Sequence, residues 1–207
     1  MNTLSPEFRH LFIPGQRRPG LLLLHGTGGD ENSLIPLGRC LRPGAPLLSP
    51  RGRVLENDMP RFFRRLAEGI FDEPDLIRRT HELADFLTGA SGKYGVDQWF
   101  AIGYSNGANI AGSLLLLRPE VIAGAALLRP MVPLVPEKLP ALNGKPVLIA
   151  AGSRDPICAP EESRAVAALL KRAGAKVRLE FEDAEHGLTE TTVATTQRWL
   201  EEANPEK

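Results

Sequence analysis

The 207-residue chain predicts an α/β fold: a mainly parallel central sheet, helices on both faces and a minimal lid. Three observations carry this. Short apolar runs alternate with helix-like runs for most of the length. Two of the short runs, Leu21-Leu22-Leu23-Leu24 and Val147-Leu148-Ile149-Ala150-Ala151, have no polar face, as suits strands covered on both sides. Hydrophobic residues at 43% and charged residues at 24% suit a globular chain with a large core.

Taken in order, residues 8–13 read as an edge strand closed by Pro14-Gly15, and 20–25 as a buried strand. Residues 31–41 read as a short helix despite Pro36 and Gly38, and 45–49 as a strand ended by Pro50-Arg51-Gly52. Residues 54–71 are the least regular and read as an excursion over the sheet edge. Residues 74–87 form a helix: Leu76, Ile77, Leu83, Ala84 and Leu87 share a face, and Pro74 suits a first helical position. A strand over 98–103 leads into a helix over 106–117, stopped near Pro119. Strands follow over 121–128 and 146–151. A helix over 160–173 ends at Gly174. Val177, Leu179 and Phe181 alternate in a more exposed strand over 176–181. Residues 188–203 make a terminal helix. The length suits one domain over 1–207.

Lys+Arg 25 balance Asp+Glu 25, so no global field favours nucleic acid or an anionic membrane. Arginine clusters locally at Arg51, Arg53, Arg61, Arg64 and Arg65. A solvated, salt-bridged surface is the preferred reading there, and an anion site is its alternative. Two cysteines, Cys40 and Cys158, make no disulfide framework and read as reduced thiols of a cytoplasmic protein. Met1-Asn2-Thr3-Leu4-Ser5-Pro6-Glu7 lacks the basic and apolar regions of a signal peptide, and no apolar run reaches membrane-spanning length.

The sharpest local signal is Gly103-Tyr104-Ser105-Asn106-Gly107, a G-x-S-x-G between a strand and a helix. A serine on such a turn is pushed above the sheet edge, and the helix N-terminus faces any negative charge forming on a substrate. The bland alternative is a glycine-rich turn. A serine hydroxyl needs a base. Of the four histidines His10, His25, His81 and His186, only His186 sits on a strand-to-helix loop downstream of Ser105. Asp155, just past the strand over 146–151, is the chosen acid to orient it, with Asp183 and Glu185 as rivals. An oxyanion needs donors: the backbone N–H of Asn106 after the serine, and that of Thr27 in the loop Gly26-Thr27-Gly28-Gly29. That loop lacks a Walker lysine and the G-x-G-x-x-G spacing of a nucleotide site. A metal set of His25, Asp30 and Glu31 has poor spacing, so neither metal nor cofactor is expected.

These residues resemble the phospholipase/carboxylesterase family, compact α/β-hydrolases related to acyl-protein thioesterases. The likeness rests on four segments spread along the chain: Leu24 to Glu31, Gly103 to Asn109, Ala151 to Pro156 and Glu185 to Thr189. Residues 51–57 and 60–65 look like a bacterial branch of that family. The resemblance implies a catalytic Ser105, Asp155 and His186, oxyanion donors Thr27 and Asn106, an acyl-enzyme intermediate and little lid. Thioesterase members often carry glutamine after the nucleophile, where this chain has Asn106, so the likeness to lipid-chain-removing members is weaker.

The sequence thus points to a metal-independent serine esterase acting on small apolar or aromatic esters. Met59, Phe62, Phe63, Ile157 and Leu188 are its pocket candidates, each with ordinary core packing as the alternative. A thioesterase or lysophospholipase-type acyl hydrolase is the second reading, and a non-catalytic binding protein on the same scaffold the third. The expected partner is a small-molecule ester, with no nucleic acid and no membrane span; a homodimer is left open.

Overall fold

The computed structural model describes residues 7–203, so the N-terminal stretch read for a leader falls, over 1–6, outside the described residues. In chain order, β1 (His10–Ile13) and β2 (Gly20–Leu24) lead to α1 (Ile35–Leu41) and β3 (Leu47–Pro50). The excursion then holds β4 (Val54–Glu56), β5 (Met59–Arg61), β6 (Arg65–Ala67) and β7 (Ile70–Phe71). The long helix α2 (Glu73–Tyr94) returns the chain to β8 (Trp99–Tyr104) and α3 (Asn106–Leu117). A 3-10 turn at Pro119–Val121 precedes β9 (Gly124–Leu128). Then come β10 (Pro146–Gly152), α4 (Pro160–Arg172), β11 (Lys176–Glu182) and α5 (Glu190–Ala203).

Seven strands form one sheet in the order β1-β3-β2-β8-β9-β10-β11. Neighbours run parallel except β1, which pairs antiparallel with β3 at one edge. Alternation along the strands divides the core into two layers. Leu22, Leu24, Val147 and Ile149 face α2, α3 and α4 on one side. Leu21, Leu23, Leu148 and Ala150 face α1 and α5 on the other, where Trp199 meets Phe100 edge-on at 5.6 Å. Strands with apolar residues on both faces need such double cover. The parallel sheet with helices on both faces is therefore the fold that the apolar runs imply.

The boundaries differ where local polar chemistry competes with periodicity. α1 starts at Ile35 rather than 31, because the Asp30 carboxylate accepts from Asn32 N–H and ties 30–33 into a turn. α2 continues past Leu87 to Tyr94. Thr88 and Ser91 hydroxyls donate back to the carbonyls of Ala84 and Leu87, and Ser91 Oγ also accepts from Trp99 Nε1 at 2.9 Å. The helix stops at left-handed Gly95. Residues 121–123 belong to the 3-10 turn and its exit, so β9 begins at Gly124. Residues 54–71 form two small antiparallel pairs, β4 with β5 and β6 with β7.

Helix α3 packs unusually close to the sheet. A Cβ on Gly107 would overlap the carbonyl oxygen of Leu24, and one on Gly103 would overlap that of Gly107. Glycine is required at both positions by space. Replacing Gly107 with Ala should destabilise the protein by about 3 kcal/mol or more in urea unfolding. Gly92→Ala, in the last turn of α2 with nothing near its Cβ position, should stabilise it by about 0.5 kcal/mol.

Candidate active site

Ser105 joins β8 to α3 with φ 52° and ψ −115°, a backbone region unfavourable for a residue with a side chain. Two hydrogen bonds hold it: Ser105 N–H donates to Leu128 O (2.9 Å), and Asn109 N–H donates to Ser105 O (3.0 Å). His186 lies in the loop between β11 and α5. Its Nδ1 is 2.8 Å from Asp155 Oδ2 and its Nε2 is 2.9 Å from Ser105 Oγ. A carboxylate only accepts, so Nδ1 carries the proton and Nε2 accepts from the serine hydroxyl. The other Asp155 oxygen accepts from the N–H groups of Ile157 (2.8 Å) and Cys158 (2.9 Å), which turns one edge of the carboxylate toward His186. The rival Asp183 instead pairs with Arg154 at the surface, and Glu185 is exposed.

Thr27 and Asn106 face the same corner. Gly28 N–H donates to Pro60 O and Gly29 N–H to Gly26 O, but among the described residues nothing accepts from Thr27 N–H. Asn106 is the first residue of α3, where backbone N–H groups have no intrahelical acceptor. The excursion grips both side chains. Arg61 Nη1 donates to Thr27 Oγ1 (2.6 Å), and Phe62 N–H donates to Asn106 Oδ1 (2.8 Å). His25 serves this loop structurally. Its Nδ1 donates to Gly26 O, its Nε2 accepts from Gly52 N–H, and burial pulls its pKa down. The set His25, Asp30 and Glu31 does not converge, since both carboxylates pair with Arg51. Among the described residues, the group of three His, Cys or carboxylate side chains whose ligand atoms lie within 4.8 Å of one another is Asp155, Cys158 and His186.

A cavity of about 330 Å³ opens beside Ser105 and His186, lined in part by Arg61, Arg65, Phe71, Asn109, Met131 and Ile157. Of the pocket candidates, Ile157 lines it and is 44% exposed. Phe62 and Phe63 do not: at 2% and 0% exposed, they anchor the excursion in the core. Phe62 packs on the His25 ring and Phe63 meets Phe71 edge-on, because two adjacent aromatics gain more from burial than from facing a wet cavity. Met59 packs beside Gly28 outside the lining, and Leu188 joins the core layer of α1 and α5. The basic stretch also divides. Arg51, Arg53 and Arg64 make ion pairs with Glu31, Glu82 and Asp72, in keeping with a salt-bridged surface. Arg65 also pairs with Glu56 but lines the cavity, and Arg61, which lines it too, departs from a solvated surface at 3% exposed.

One residue that the sequence reading missed organises the His186 loop. Arg129, at the end of β9 with φ 59°, is fully buried. It donates to the carbonyls of Ala150, Glu185 and Gly187, to Thr192 Oγ1, and to the Glu182 carboxylate. The carbonyls on either side of His186 are thus held by one guanidinium. Burial alone would raise the Glu182 pKa, but hydrogen bonds from Thr189, Thr192 and Arg129 outweigh it and bring it down. The available signal was a lone charge directly after an apolar strand, in Leu127-Leu128-Arg129-Pro130.

Known proteins match nearly the whole chain, although no family model does. A Bacillus subtilis (strain 168) protein named as a hydrolase, MhqD, is 47% identical over 197 residues, 94% of this chain and 98% of that protein. The crystal structure of a Bacillus cereus carboxylesterase is 49% identical, covers 98% of this chain and 96% of its own, and superposes with TM-score 0.93. A Mesorhizobium loti carboxylesterase is 35% identical, with 97% and 96% covered and TM-score 0.87.

Arg129→Met leaves Glu182 without its cation and the loop carbonyls without their donor. Urea unfolding should show a loss of about 3–5 kcal/mol. Because the folded-state pKa of Glu182 is lowered, its stabilising contribution is full above the ordinary glutamate range and is lost as pH falls through the folded value. The stability gap between the wild type and Glu182→Gln should therefore shrink in acid, as read from unfolding midpoints across pH.

Proposed function

Because the chain belongs to the phospholipase/carboxylesterase family of α/β-hydrolases, we propose that it hydrolyses small carboxylic esters through an acyl-enzyme on Ser105, with residues 1–207 acting as one domain. The observation that carries this is the unbroken hydrogen-bond line Ser105–His186–Asp155 beside the Thr27 N–H, without an acceptor among the described residues, and the helix-first N–H of Asn106. Ser105 Oγ bonds to the ester carbonyl carbon while its proton passes to His186 Nε2. The carbonyl oxygen becomes an oxyanion that accepts from the Thr27 and Asn106 N–H groups. Collapse breaks the bond to the alcohol oxygen, which leaves with the His186 proton. Water then repeats the sequence on the acyl-enzyme and releases the acid. Asp155 keeps the Nδ1 proton in place and stabilises the imidazolium. The cavity volume stands at the low end for small-molecule sites, which favours short substrates over long acyl chains.

Cys158 also lines the cavity, but burial, with the nearby carboxylates of Asp155 and Glu162 adding to it, pushes its thiol up to about 12. It remains protonated at neutral pH and is a poor nucleophile there. Ser105→Ala should lower turnover of p-nitrophenyl acetate by about 10³-fold or more and abolish fluorophosphonate labelling, with melting behaviour preserved. Full activity in that variant would sink the mechanism. Iodoacetamide at pH 8 should leave wild-type turnover within about twofold.

A further inference from the structure

The wall of the cavity next to Thr27 carries two guanidinium groups that share one carboxylate. Arg65 binds Glu56 through Nε (2.8 Å) and Nη2 (2.7 Å), and Arg61 Nε lies 3.4 Å from the same Glu56. Arg61 Nε also donates to Phe63 O (3.2 Å), while its Nη1 is spent on Thr27 Oγ1. Each arginine keeps one terminal nitrogen without a hydrogen-bond partner among the described residues: Nη2 of Arg61 and Nη1 of Arg65. Both guanidinium groups lean on the one carboxylate of Glu56, which lies outside the cavity lining. The acid of the lining, Glu68, is exposed to solvent and makes no ion pair with either arginine among the described residues.

The open nitrogens belong to side chains that border the cavity, where solvent or a ligand oxygen can meet them. Burial pulls the Arg61 pKa down, Glu56 only partly offsets this, and repulsion from Arg65 adds to it. An oxyanion ligand is the chemical group that completes such a site. A carboxylate matches the paired, planar N–H geometry of arginine, and short charge-assisted hydrogen bonds gain strength away from water. The position decides what kind of carboxylate. Arg61 is one hydrogen bond from Thr27, the oxyanion donor, so a group held there belongs to the same small molecule whose ester sits at Ser105.

We propose that Arg61 and Arg65 form an anion subsite, and that the preferred substrates are short esters carrying a free carboxylate. This rests on the ester-hydrolase reading above and puts acidic esters in place of the apolar or aromatic ones expected from the sequence.

The test compares isosteric pairs that differ only in charge. Monoethyl succinate against ethyl succinamate places the carboxylate in the acyl half; O-acetylglycolate against its amide places it in the alcohol half. Acid release is followed by pH-stat, and succinate binding by calorimetry. The wild type should favour the carboxylate of at least one pair by roughly tenfold or more in kcat/KM. Arg65→Met should lower that preference by roughly tenfold, Arg65→Lys should restore part of it, and succinate should bind the wild type more tightly than Arg65→Met. Arg65→Gln is the substitute should the Met variant fail to fold. Amides hydrolysed as well as carboxylates in both pairs would overturn the subsite and leave the esterase reading standing. Succinate binding that depends on Arg65, with no ester hydrolysed, would uphold the subsite and overturn the esterase reading. The absence of both succinate binding and charge preference would overturn the subsite.

Discussion

The close approach of α3 to the end of β2 is the constraint on which the site depends. Gly107 brings helix backbone against the Leu24 carbonyl, and Gly103 lets β8 pass beneath the helix. Ser105 is caught between them in a conformation that an unconstrained residue avoids. The same contact places the first turn of α3 next to the loop that leaves β2. Thr27 and Asn106, far apart in sequence, therefore line one cavity. The energy stored in the turn is supplied by the sheet, whose strands β2 and β9 are buried at every position and β8 at all but Tyr104.

Two buried arginines hold the loops that line that cavity. Arg129 holds the carbonyls around His186, and Arg61 ties the excursion to Thr27. They use the same physics. A guanidinium offers several donors in a rigid plane, so one side chain satisfies loop carbonyls that no strand or helix would pair. They differ in completeness. Arg129 is met on every side, including by Glu182, and serves order. Arg61 shares its counter-charge with Arg65 and borders open space, and so can serve a ligand as well.

The residues around the pocket resist reading from sequence because adjacent positions have opposite fates. In Arg61-Phe62-Phe63-Arg64-Arg65, the two aromatics enter the core, Arg64 meets Asp72 at the surface, and Arg61 and Arg65 turn to the cavity. Composition there suggests a basic surface with pocket aromatics, the reverse of what packing selects. The excursion has too few residues per strand for periodicity to show which side faces in. Arg129 escaped for a related reason: a charged residue after a strand is ordinarily read as a surface loop, and only the arriving His186 loop buries it.

Sequence alone determined the alternation of elements, the two-sided apolar strands that demand a covered parallel sheet, and the serine and histidine on strand-to-helix turns that now share a hydrogen bond. These follow from local pattern: hydrophobic period, glycine at a crowded turn, and polar residues stationed at strand ends. Tertiary structure decided what faces the cavity, which carboxylate meets His186, and where the buried charges find partners. Such outcomes depend on segments distant in the chain arriving at the same place. The burial and charge balance of a side chain are properties of that meeting, and no stretch of sequence carries them by itself.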